Sequence, residues 1–118
     1  MALEGGRKSS NRSPLGNAYL AFLRTLKSCD RASVTNVVSR KMQQSLNAAY
    51  DKDAAQAREE CRMLAMFLPG NLKDASEVIN GSRGTIQWLT VKTDANGTMK
   101  SETTQDFVNE GGVWRFGD

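Results

Sequence analysis

The chain has no histidine, which leaves carboxylates, two tyrosines and two cysteines as its main candidates for acid–base or metal chemistry. That removes the serine triad, the usual histidine general base and most catalytic zinc sites. Cys29 and Cys61 are too far apart for CxxC redox chemistry, and two thiols alone do not make a structural zinc site. They are either buried small hydrophobes or bonded to each other, since both fall on apolar helix faces that could meet. A bond would point to an oxidising compartment. Among the carboxylates, Glu59 and Glu60 flank the apolar stripe of a predicted helix, which places them on a solvated face. Tyr19 lies on the inner stripe of the first helix, and Tyr50 falls in the loop before the third. No glycine-rich loop follows a strand and opens a helix, so the nucleotide-binding fingerprints are absent. The pattern assigns no catalytic residue, no metal ligand and no cofactor.

The elements that would position these groups follow from hydrophobic period. Ser13-Pro14 reads as a helix start, with Ser at the N-cap and Pro at the first helical position. Leu15, Ala18, Tyr19, Phe22, Leu23, Leu26 and Cys29 then recur at three- and four-residue steps. Asp30 can cap a second helix whose buried stripe is Val34, Val37, Val38, Met42 and Leu46. A third begins near Asp51 or Asp53, with Ala54, Ala57, Cys61, Leu64, Ala65 and Leu68 inward. Met63, Met66 and Phe67 widen that inner face, and Pro69-Gly70 ends the helix.

After Gly70 the period changes to two. "SEVIN" is a short strand, "TIQWLTVKTD" a long one, and Asn96-Gly97 a strong hairpin signal. A further strand runs from about Met99 to Asn109, and Gly111-Gly112 turns the chain into a last short one. A two-residue turn at Asn96-Gly97 sets Ala95 opposite Thr98, Trp88 opposite Gln105 and Ile86 opposite Phe107. The Gly111-Gly112 turn sets Phe107 opposite Phe116. Side chains alternate faces, so Ile86, Trp88, Phe107, Trp114 and Phe116 share one face. Leu89, Val91, Val108, Val113 and Arg115 share the other with Glu102 and Asp106, and Asp106 and Arg115 become near-diagonal neighbours able to form a surface ion pair. The expected fold class is α+β, three N-terminal helices packed on an antiparallel sheet of about four strands.

These elements resemble the nuclear-transport-factor-2-like superfamily, and within it the small bacterial cell-envelope members, often lipoproteins. The resemblance rests on the "AYLAFLRTLKSCDRASVTNVVS" helices, the "GTIQWLTVKTDANGTMKSETTQDFV" hairpin and the closing "GGVWRF", about residues 15–116. It implies a cone in which helices and a curved sheet enclose a core or cavity, often with dimerisation through the outer sheet face. Applied here, Tyr19, Phe22, Ile86, Trp88, Phe107, Trp114 and Phe116 would line either a closed core or a pocket for a small apolar ligand. Leu89, Val91, Val108 and Arg115 would be the interface candidates for a homodimer or another protein partner. Some superfamily enzymes use a carboxylate base, so a small isomerase or dehydratase is the alternative to a non-catalytic binding or interaction domain.

Bulk composition adds limits. The net charge of +3 divides unevenly. Residues 1–50 hold eight basic against two acidic residues, and residues 51–118 hold eight against eleven. The basic residues are scattered without interleaved aromatics, which argues against a nucleic-acid surface. No apolar run approaches the roughly 20 residues needed to span a bilayer. Residues 1–13 read as a flexible basic tail and residues 14–118 as one α+β domain. The tail has no apolar segment of a signal peptide; an envelope setting, periplasmic or secreted, would require a leader absent from this chain.

Overall fold

The computed structural model describes residues 6–118. It is an α+β fold in which helices pack on a curved antiparallel sheet. The order is β1 (Arg7–Lys8), α1 (Pro14–Thr25), α2 (Arg31–Thr35), α3 (Arg40–Lys52), α4 (Ala54–Phe67), β2 (Ala75–Asn80), β3 (Arg83–Asp94), β4 (Gly97–Glu110) and β5 (Val113–Phe116). The five strands pair in chain order, each antiparallel to its neighbour.

The expected second helix is two. Asp30 caps α2 by accepting from the Ser33 amide, but the helix stops after five residues. After a turn at Asn36 and Val37 the chain reaches Val38, which bridges Phe116 at the end of β5. The Phe116 amide donates to the Val37 carbonyl, and the Ser39 amide donates to the Phe116 carbonyl. Ser39 restarts the chain as α3 by accepting from the Met42 amide. Tyr50 therefore lies inside α3 and is buried, its hydroxyl donating to the Cys29 carbonyl at 2.7 Å. It is not in a loop. Asp53 caps α4, as expected of one of the two candidate aspartates.

A fifth strand comes from the stretch expected to be tail. Arg7 and Lys8 pair with Glu77 and Ser76, the Ser9 amide donates to the Ala75 carbonyl, and Ser9 is buried. The part of the tail at residues 1–5 lies outside the described residues.

The first hairpin turns one step earlier than expected. Asp94 pairs with Gly97, so Ala95-Asn96 forms the turn, and the Asp94 carboxylate accepts from the Asn96 amide at 2.8 Å. A type I′ turn on Asn96-Gly97 would need positive φ at both central residues, and of the two only Gly97 has it. Trp88 thus faces Thr103, Ile86 faces Gln105 and Gly84 faces Phe107. The shift is two residues, an even number, so every side chain keeps its expected face. The second hairpin has the expected register, Glu110 with Val113 and Phe107 with Phe116.

α1 lies across β3 and β5 and supplies Leu15, Tyr19, Phe22 and Leu26 to the core. α4 leans on α3 through a narrow stripe of Ala57, Cys61 and Leu64, and leaves its far side open. Met63, Met66 and Phe67 do not widen the inner face: they are 48, 81 and 78% exposed. Among the described residues α4 packs chiefly on α3, which leaves that side of the helix uncovered. Cys29 and Cys61 are bonded to each other, tying the turn after α1 to the middle of α4.

Candidate functional site

The aromatic face forms around α1. Tyr19, Phe22, Ile86, Trp88, Phe107 and Phe116 are all buried and belong to one cluster. Phe22 stacks on Phe116 with ring centres 3.9 Å apart, Phe107 meets Phe116 edge-on at 5.6 Å, and Tyr19 tilts against Trp88 at 4.8 Å. Their polar handles are occupied within the chain. The Tyr19 hydroxyl donates to the Pro69 carbonyl at 2.6 Å, and the Trp88 indole N–H donates to the Asn71 carbonyl at 2.9 Å. Both clamp the loop after α4 to the core. Burial pushes the Tyr19 phenol well above its usual range. Trp114 shares the inner face but is only half-buried, on the wall of an open cleft between α1 and β5.

A small, mainly apolar space lies among the helices. It is a pocket of about 170 Å³ whose walls include Phe22, Leu26, Met42, Leu46, Tyr50 and Leu64. Glu60 stands at its rim, exposed, and accepts from the Gln56 side chain at 3.3 Å. Glu59 is exposed.

One buried carboxylate was not picked out as a site in the sequence. Glu77 on β2 is fully buried. Its Oε1 accepts from the Ser9 hydroxyl at 2.8 Å, the Ser13 hydroxyl at 2.5 Å and the Gly16 amide at 3.0 Å. Its Oε2 accepts from the Leu15 amide at 3.2 Å. The two amides are those of the first turn of α1, which its own N-cap, Ser13, does not satisfy. A carboxylate there matches the positive end of the helix dipole. Glu77 is thus a cap delivered from a strand, and its oxygens are committed to structure. The signal was legible: Ala75, Glu77 and Ile79 alternate onto the inner face, so an acid stood at a core position.

The outer face carries the expected mixture. Val91 is exposed, while Leu89, Val108 and Arg115 are half-buried. The expected Asp106–Arg115 ion pair does not form. Asp106 accepts from the Thr85 hydroxyl at 3.1 Å. Arg115 lies 3.6 Å from Glu110 and donates to the Asn36 carbonyl. The reason is reach: Asn36 and Glu110 flank Arg115 where β5 meets the break after α2, and the guanidinium turns that way. Gln87 is buried on this face and donates to Glu102 at 2.5 Å.

Among the described residues no group of three or more His, Cys, Asp or Glu could hold a metal ion, and no helix is long and apolar enough to cross a membrane. No family model matches the chain, and no curated protein or solved structure is similar enough to count as a match.

Proposed function

We propose that this chain is a non-catalytic interaction domain of the nuclear-transport-factor-2-like cone type, which binds a protein partner on the outer face of the β3–β4 ribbon. One observation carries the reading. Beyond Trp88 the ribbon leaves the core, and residues 90–104 are all exposed, with Val91 on the outer face at 52%. Two strands alone are marginal in water, and this extension contributes nothing to the aromatic cluster, so its apolar side chains are free to contact another molecule. The Cys29–Cys61 bond suits the envelope setting that the resemblance implies, since oxidising compartments sustain disulfides.

Two rival readings have less support. A carboxylate-based isomerase or dehydratase needs an acid facing an enclosed apolar pocket. Glu59, Glu60, Glu102 and Asp106 are exposed, and Glu77 is saturated by hydrogen bonds. A small apolar ligand has the helical pocket of about 170 Å³, below the roughly 300 Å³ at which ligand pockets usually begin, or the cleft of about 780 Å³ beside Trp114, which is open and whose walls include Asn11, Arg12, Asn17, Asn36 and Arg115.

Site-specific photo-crosslinking tests the reading. A photoreactive residue at position 91 is expected to trap a protein partner in the source cell, and the same residue at Met66 of α4 is expected to trap none. Adducts from position 66 alone would move the binding surface to α4. A small molecule retained by the native protein and released on denaturation would overturn the reading in favour of the helical pocket.

A further inference from the structure

We infer that the free edge of β4 pairs with the same edge of a second copy, joining two five-stranded sheets into one of ten strands around a two-fold axis at Ser101. β4 runs for 14 residues, and β5 covers only its last four, Phe107 to Glu110. Residues 97–104 are exposed and, among the described residues, have a strand on one side only. Backbone groups of an antiparallel strand point alternately to its two neighbours. In β4 the even-numbered ones point to the open side. The Asp106 carbonyl accepts there from the Gly117 amide, whereas the Asn109 amide points the other way, to the Ser82 carbonyl. The amides and carbonyls of Thr98, Lys100, Glu102 and Thr104 therefore line the edge.

One antiparallel register uses all four. With Ser101 on the axis, Lys100 of one copy stands opposite Glu102 of the other, and Glu102 opposite Lys100. Thr98 stands opposite Thr104 on both sides. Each of these four pairs is of the type that exchanges two backbone hydrogen bonds. Each also places complementary side chains on the outer face: two Lys–Glu pairs and two Thr–Thr pairs, both stabilising when directly opposite. Sliding by one residue would put outer-face side chains opposite inner-face ones. Sliding by two would set Lys100 against Thr104 or against itself. Glu102 also accepts from Gln87 of its own chain. The pairing stops where β5 begins, since the Asp106 carbonyl is already taken by Gly117.

A long open edge is otherwise an aggregation hazard, and lone lysines are a common guard against it. Lys100 differs from a bare guard in having its counter-charge two residues away on the same strand and face. The inference does not depend on the outer-face reading above. The edge offers backbone groups, while the face offers side chains such as Val91, so either can fail alone.

Sedimentation equilibrium on the full chain tests it. Wild type is expected to show a monomer–dimer equilibrium. Lys100→Glu sets like charges opposite each other twice and should weaken the dimer by about ten-fold. Lys100→Glu combined with Glu102→Lys should restore it. Hydrogen exchange supplies a readout free of any substitution: the amides of residues 98, 100, 102 and 104 should slow as concentration rises. A wild type that stays monomeric at every soluble concentration overturns the inference and leaves Lys100 as a guard. A dimer that Lys100→Glu leaves unchanged, or whose even-numbered β4 amides stay fast, also overturns it and places the interface elsewhere.

Discussion

Glu77 on β2 caps α1 through the amide of Gly16, 3.0 Å from its Oε1 and 61 residues away in the chain. The contact requires glycine. A Cβ at position 16 would stand 2.0 Å from the Ser10 carbonyl oxygen, far inside contact distance. It also requires the turn before α1, where Ser9 and Ser13 bring two further donors to the same carboxylate. At the same end of the helix, Leu15 packs against Gly84 of β3, where an added Cβ would fall 2.6 Å from its Cδ1. These contacts fix where α1 starts and how it crosses the sheet. That crossing delivers Tyr19 and Phe22 onto Trp88 and Phe116.

Replacing Glu77 by glutamine keeps the shape and removes the charge. One side of the amide would then present N–H groups to donors that need an acceptor. Hydrogen bonds to a charged group contribute about 1.5–3 kcal/mol, and Glu77→Gln should lose an amount in that range. Urea unfolding measures it, with the midpoint falling and the slope unchanged. A midpoint equal to wild type would mean that the carboxylate is not what holds α1 in place.

Tyr19 ties stability to alkaline pH. Its phenol is buried and its pKa lies above the ordinary value of 10.0, with burial as the cause. In the unfolded chain the phenol ionises near 10, while in the folded protein it stays protonated to higher pH. The folded state then holds the extra proton, so stability falls as pH rises. The contribution is complete below about pH 10 and is lost between there and the folded pKa. Tyr19→Phe should be less stable than wild type at neutral pH, having lost the bond to Pro69. Its stability should also decline less steeply above pH 10. Denaturant unfolding of both proteins at several alkaline pH values checks this; equal slopes would remove Tyr19 as the cause.

Local chemistry was a good guide wherever the answer was local. The stripe from Leu15 to Leu26, the Pro14 start, the Asp30 and Asp53 caps and the Gly111-Gly112 turn are each decided by residues a few positions apart. The even shift at Ala95-Asn96 left the faces intact, because parity alone decides which side chains meet the helices. The misreadings came from distant contacts. Val34, Val37, Val38 and Met42 keep a helical period, yet the helix is interrupted between α2 and α3, where Val37 and Ser39 bond to the backbone of Phe116 and Val38 bridges it. Arg7-Lys8 is too short to carry a pattern, and only β2 makes it a strand. Met63, Met66 and Phe67 looked inward because they are apolar, but a helix reveals its faces and not which of them a neighbour will cover. The candidate site shows the same division. The aromatic face was legible from alternation, whereas its closure depends on α1 sitting down across it.

The Cys29–Cys61 bond gives the last test, because it bears on the part of the molecule that the sheet does not hold. α4 touches α3 along one side, and its link to the end of α1 runs through this disulfide. Cys29 itself sits at positive φ, an uncommon conformation for a residue other than glycine. The bond closes a loop with a sequence separation of 32 residues, and restricting the unfolded chain that much corresponds to about 3–4 kcal/mol. Cys29→Ser with Cys61→Ser should lower stability by roughly that amount in urea. The aromatic cluster should survive, since none of its rings lies on α3 or α4. Near-ultraviolet circular dichroism would then keep the signal of Trp88 and Tyr19, while hydrogen exchange in α3 and α4 would quicken. If exchange instead quickened equally in α1 and β3, the helical hairpin and the sheet would be a single cooperative unit, and the disulfide would be securing the whole fold and not one edge of it.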